Sequence, residues 1–114
     1  MNEVQKLQLE LMRHASFNSF DGDNVADDLE ANSELWRGAV MTRVGDLIYL
    51  RDIEHDCWNV DTLYILPAEG QDDELEKFAL RHWSADSVEW IDEERAHMLL
   101  GAYPSGKILD IWWD

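Results

Sequence analysis

Val4, Leu7 and Leu11 recur at helical spacing, with Leu9 and Met12 beside them and Glu3, Lys6, Glu10 and Arg13 on the other side. This pattern predicts a first helix over 2–15. The run from Ser16 to Gly22 holds the small polar residues that end one helix and start another, with Asp21 or Asp23 placed to cap the free N–H groups. Val25, Leu29, Asn32 and Trp36 continue the helical period, so a second helix is predicted from Asp23 into the thirties.

From Ala39 the period shortens. Val40, Thr42 and Val44 alternate with Met41 and Arg43, and Gly45-Asp46 precedes the apolar run Leu47 to Ile53. A glycine at the first loop position supplies the positive φ of a type II′ turn, which predicts a hairpin. The competing reading is a helix through 33–44 stopped by Gly45 as its left-handed cap. A third strand is predicted from Val60 to Leu66, rich in β-branched and aromatic side chains and closed by Pro67.

Asp72 to Trp83 is the clearest helix, with acids at its positive end and Arg81 and His82 at its negative end. Ser87 to Ile91 reads as a short strand, Asp92 caps a helix through Leu100, Gly101 stops it, and Lys107 to Trp113 is the last strand. The predicted order is ααβββαβαβ. The fold class is therefore α+β: two N-terminal helices, then a mixed, mainly antiparallel sheet of about five strands with two further helices.

Several strand segments, among them Leu63 to Leu66 and Ile111 to Trp113, are apolar at consecutive positions, so both faces of the sheet call for burial. Either helices cover both faces or a second molecule covers one, which makes a homodimer a candidate state. Trp112 and Trp113 must project to opposite faces.

Composition supports a chain that folds as one unit. Its 114 residues are 46% hydrophobic with six tryptophans, the size and apolar content of a single domain spanning 1–114. Cys57 is the only cysteine, so an internal disulfide is ruled out and a reducing cytoplasmic setting fits. Apolar runs fall far short of the roughly twenty residues that cross a bilayer, and the first twelve residues lack the pattern of a secretory signal.

Charge changes the picture most. Twenty-five acids against nine Lys and Arg give a net charge of −16, a field that repels phosphate backbones and argues against direct nucleic-acid binding. Asp21, Asp23, Asp27, Asp28, Glu30 and Glu34 run without a basic residue among them, and two more acidic clusters follow at 69–76 and 86–94. These acids read either as solvated helix faces or as a surface for a basic protein partner.

Signatures of catalysis are weak. His14, Ser16 and Asp21 hold the residue types of a hydrolytic triad, but there is no Gly-x-Ser-x-Gly elbow and capping explains the serine. His55-Asp56-Cys57, with His82 and His97 elsewhere, offers zinc-ligand types without zinc-site spacing. The run Asp21 to Asn24 fails as a calcium loop, and no glycine-rich phosphate loop occurs. Glu89, Asp92, Glu93 and Glu94 crowd together, as a helix N-terminus already explains. No cofactor is expected.

The sequence thus favours a non-enzymatic acidic interaction module that binds or inhibits a basic protein, with Asp21, Asp23, Asp27, Asp28, Glu30, Glu34 and Trp113 as the candidate surface. A small-molecule binder or small enzyme is the alternative, its pocket lined by Trp58, Asn59, Tyr64 and His82. A structural homodimer subunit is the third reading.

Overall fold

A computed structural model describes residues 1–101 and 106–114. Helix α1 (Glu3–Met12) begins at Asn2, whose side chain accepts from the Gln5 N–H, and α2 (Gly22–Ala31) begins at Asp21, which accepts from Asn24. After a short 3-10 turn come strand β1 (Trp36–Thr42), helix α3 (Leu50–Glu54) and strand β2 (Thr62–Pro67). Helix α4 (Asp72–His82), strand β3 (Ser87–Ile91), helix α5 (Glu93–Leu100) and strand β4 (Ile108–Trp112) complete the order. The four strands form one sheet in the order β1-β2-β4-β3, and all three pairings are antiparallel.

The α+β class expected from the sequence is present, with four strands where about five were predicted. The difference lies in the predicted hairpin. Gly45 has the positive φ of a turn, but Leu47 to Ile53 does not return along β1 as a strand; its second half is α3. The edge of β1 where a hairpin partner would pair is already engaged by α1. The Gln5 side-chain amide donates to the Ala39 carbonyl at 2.7 Å and accepts from the Ala39 N–H at 2.9 Å, so one side chain does what a neighbouring strand would do. Asp46 diverts the chain as well, accepting from the Leu47 N–H, the Tyr49 hydroxyl and Arg43. The alternative helix over 33–44 is absent, because Trp36–Thr42 is a strand paired with β2 at every position but Arg37.

The core side of the sheet carries Ala39, Met41, Leu63, Ile65, Leu109, Ile111 and Trp113, packed against Leu9 and Met12 of α1, Val25 and Leu29 of α2, and Leu75 and Ala79 of α4. Simple alternation would place Trp36 on the other face with Val40. A register shift between Trp36 and Gly38 inserts an extra residue, and the indole turns into the core, where its N–H donates to the Leu29 carbonyl at 2.9 Å. Helix α1 also faces differently from expectation: Val4, Leu7 and Leu11 are 73%, 55% and 39% exposed, while Gln5, Leu9 and Met12 form its inner line.

Trp113 joins the layers. It is fully buried, its ring meets Phe20 edge-on at 4.6 Å, and its N–H donates to the Trp83 carbonyl at 2.9 Å. The Trp83 indole in turn donates to Asp28 of α2 at 3.0 Å. Strand β4, helix α4 and helix α2 are thereby linked through two hydrogen-bonded indoles. The junction of α1 and α2 is equally close, since a side chain at Gly22 would collide with the Met12 carbonyl.

Trp113→Phe keeps most of the buried ring but leaves the Trp83 carbonyl without its donor, and is expected to cost about 1–3 kcal/mol. Trp113→Ala is expected to cost about 3–5 kcal/mol. Gly22→Ala must push α1 and α2 apart and is expected to lower stability by about 1–3 kcal/mol. Urea unfolding followed by far-UV circular dichroism checks all three.

Candidate functional site: the open face of the sheet

The face opposite the main core is assembled by strand alternation and register. Thr42, Thr62, Trp112 and Ser87 form one row across the four strands. Val40, Tyr64, Asp110 and Glu89 form the next. In the third, Gly38 faces Leu66 and Ile108 faces Ile91. Helix α5, capped by Asp92 and ended by Gly101 at φ 64°, covers this third row: Ala96 and Leu100 pack on Tyr64, Ile91 and Ile108. In the first two rows Thr62 and Tyr64 are buried, the latter beneath α5, whereas Trp112, Val40 and Glu89 stay exposed beyond the helix.

These open rows combine aromatic, apolar and acidic groups. Trp112 is 38% and Val40 41% exposed, and the Trp112 indole N–H points to Asp61 Oδ2 at 3.4 Å. Asp61 also accepts from the Thr62 hydroxyl at 2.8 Å. Between α5 and β1 runs an apolar groove of about 210 Å³, lined by Gly38, Val40, Tyr64, Leu66, Leu99 and Leu100. Tyr64 is nine-tenths buried in its wall, and its hydroxyl makes no hydrogen bond to a described residue.

Electrostatics at the centre of the face are unfavourable for its own carboxylates. Burial raises the Asp110 pKa above the ordinary carboxylate value, neighbouring Glu89 raises it further, and Arg95 of α5 opposes both. Burial likewise raises the Tyr64 phenol, with Asp110 adding to the effect and Arg95 counteracting it. A cation placed over this face would relieve the repulsion between Asp110 and Glu89.

The acids singled out on α2 are placed differently. Asp23, Asp27 and Glu30 converge on Arg13 of α1 at 3.3, 2.9 and 3.4 Å, with Glu10 at 3.6 Å. The bond to Asp27 is the chief reason that the Arg13 pKa is raised. Asp21 is the α2 cap, Asp28 holds the Trp83 indole, and Glu34 is exposed beside Leu35. This stripe is therefore partly compensated and partly structural. Trp113, expected on the surface, is in the core, because its side of β4 faces α2 and α4; its neighbour Trp112 takes the exposed position.

Trp58, Asn59, Tyr64 and His82 do not share a pocket. Trp58 lines a cleft of about 280 Å³ with Leu11, His14, Ile53, Asp56 and Cys57, and its buried indole N–H has no partner among the described residues. Asn59 braces the loop after β1, accepting from Arg43 at 3.0 Å and donating to Asp52 at 3.1 Å. That bond is the first reason the Asp52 pKa is lowered. Tyr64 lies buried under α5 on the outer face of the sheet, and exposed His82 meets Phe78 of α4 at a tilted 4.4 Å. In the cleft His14 Nδ1 is 3.9 Å from Asp56 Oδ1, beside exposed Cys57. Among the described residues no three His, Cys, Asp or Glu side chains are grouped to hold a metal ion. The Glu93 side chain lies outside the described residues.

The sequence pointed to Tyr64 for a pocket, to Glu89 only as part of a helix N-terminus and to Trp112 only as the opposite of Trp113, and it did not bring these together with Asp110 and Asp61 on one face. The available signal was alternation: Ser87, Glu89 and Ile91 against Ile108, Asp110 and Trp112 place two acids on a face with an indole once the strands pair antiparallel. The pairing itself has no local signature.

Because the folded-state pKa of Asp110 is raised, its contribution to stability is complete below the unfolded value, about 3.9, and is lost as pH rises through the folded value. Asp110→Asn removes that loss and is expected to raise the melting temperature at pH 7, with the gain shrinking as pH falls through this window. Thermal melts across pH test the sign. Arg13→Gln should lower stability, more at low than at high salt, in parallel melts at two ionic strengths. No protein-family model, curated protein or solved structure matches this chain.

Proposed function

We propose that this protein is an acidic interaction module that binds a basic protein partner, and that the open sheet face is its contact surface. The observation that carries the reading is the combination on that face: exposed Trp112 and Val40 for aromatic and apolar contact, framed by Glu89, Asp110 and Asp61. Among the described residues none of these three acids has a Lys or Arg nitrogen within 4.0 Å. An exposed tryptophan beside carboxylates suits a Lys or Arg side chain, which stacks on the ring and pairs with the acid. The net charge of −16 adds long-range steering, which speeds encounter with a cationic surface and makes it salt-dependent.

An oligolysine peptide serves as the probe. Its affinity, measured by calorimetry, is expected to fall about tenfold or more between roughly 50 and 300 mM salt. The double change Glu89→Lys, Asp110→Lys should weaken it far more than Glu69→Lys, Asp73→Lys, which alters net charge equally at a remote site. Equal losses from both pairs would remove the sheet face from the proposal, and affinity that ignores salt would remove the electrostatic mechanism.

The exposed stripe Val4, Leu7 and Leu11 on α1 favours a second reading, self-association through that helix. Leu7→Glu should then shift the species seen by light scattering toward the monomer. A mass that is the same for both proteins at every concentration would discard this reading.

A further inference from the structure

The two edges of the sheet are unequal. On β1, Gln5 occupies both peptide groups of Ala39 and α1 packs along the strand. On the opposite side β3 is the terminal strand of the order β1-β2-β4-β3, and no described strand pairs with its outer edge. Alternate N–H and C=O groups of Ser87–Ile91 are therefore turned away from β4. The usual devices that blunt such an edge are scarce in the segment: it contains no proline, lysine or glycine, and its one charge is Glu89.

We propose that β3 is a docking edge, and that the basic partner adds to it as a further antiparallel or parallel strand of alternating apolar and basic residues. The alternation follows from the two faces that the incoming strand would extend. Val88 and Trp90 are partly buried against the main core, so side chains beside them on that face are apolar. Trp90 is fixed in place by its N–H bond to Glu76 at 3.1 Å, with the Lys107 ammonium 5.8 Å from its ring. On the other face the incoming side chains meet Glu89, with Asp110 directly behind it on β4, and Asp86 and Asp92 bound the strand at its ends. Charge complementarity there selects lysine or arginine.

A second copy of the chain fits this edge poorly. An antiparallel pairing of β3 with itself about a two-fold axis at its centre sets Glu89 against its own counterpart, and each copy brings a charge of −16.

This inference rests on the basic-partner reading above, and the experiment separates the two. Isotope-labelled protein is mixed with three peptides of equal charge: alternating Val-Lys, the same peptide N-methylated on alternate amides, and a helix-forming Ala-Lys peptide. Amide exchange is then read by NMR. The alternating peptide is expected to slow exchange of alternate amides in Ser87–Ile91 by about tenfold or more, and the N-methylated and helical peptides are expected to leave them unchanged. Glu89→Lys, which keeps the core contacts of β3, should abolish the protection and confer it on an alternating Val-Glu peptide. Binding of all three peptides without protection at β3, or protection at Trp36–Thr42 instead, overturns the docking edge while leaving the basic-partner reading standing. Failure of every basic peptide to bind overturns both.

Discussion

Trp113 lies where the sheet and two of its helices meet, and its burial sets the terms for the rest of the molecule. An indole is large, flat and obliged to find an acceptor when removed from water. The Trp83 carbonyl meets that need just past the end of α4, and the Trp83 indole passes the same obligation to Asp28 on α2. Strand β4 thus cannot slide relative to either helix without stranding a buried donor. Because β4 is a central strand, its position fixes β2 on one side and β3 on the other. The open face, the groove under α5 and the edge of β3 that no described strand pairs all inherit their geometry from that anchor.

Elements governed by local chemistry were legible in the sequence. The strand Ser87–Ile91, the cap at Asp92 and the stop at Gly101 are found as read, as is the acidic first turn of α4. That no hairpin forms at Gly45 was not legible, because the outer edge of β1 is met at Ala39 by Gln5, 34 residues earlier in the chain, a pairing that leaves no trace in periodicity. The orientation of α1 misled for a related reason. Its most apolar line, Val4 to Leu11, faces solvent, and a line containing Gln5 faces the sheet because that amide makes two hydrogen bonds there.

The candidate site divides in the same way. Acidity could be read from composition, but its distribution could not: the densest acidic run, on α2, is gathered around Arg13, whereas Glu89, Asp110 and Asp61 come from separate segments. Trp112 and Trp113 illustrate the limit at the scale of one residue. Alternation establishes that they point apart, and only the packing of α2 and α4 decides which of them enters the core.

The amide of Gln5 carries one more implication, for higher-order assembly. Endless side-by-side growth of sheets, the route to fibrils, demands a template on both flanks of every unit. Here one flank is met from within at Ala39, where Gln5 takes up both peptide groups. A glutamine on the first helix thereby withholds that peptide unit of β1 from any incoming strand, so an approaching sheet meets an interrupted template on that side.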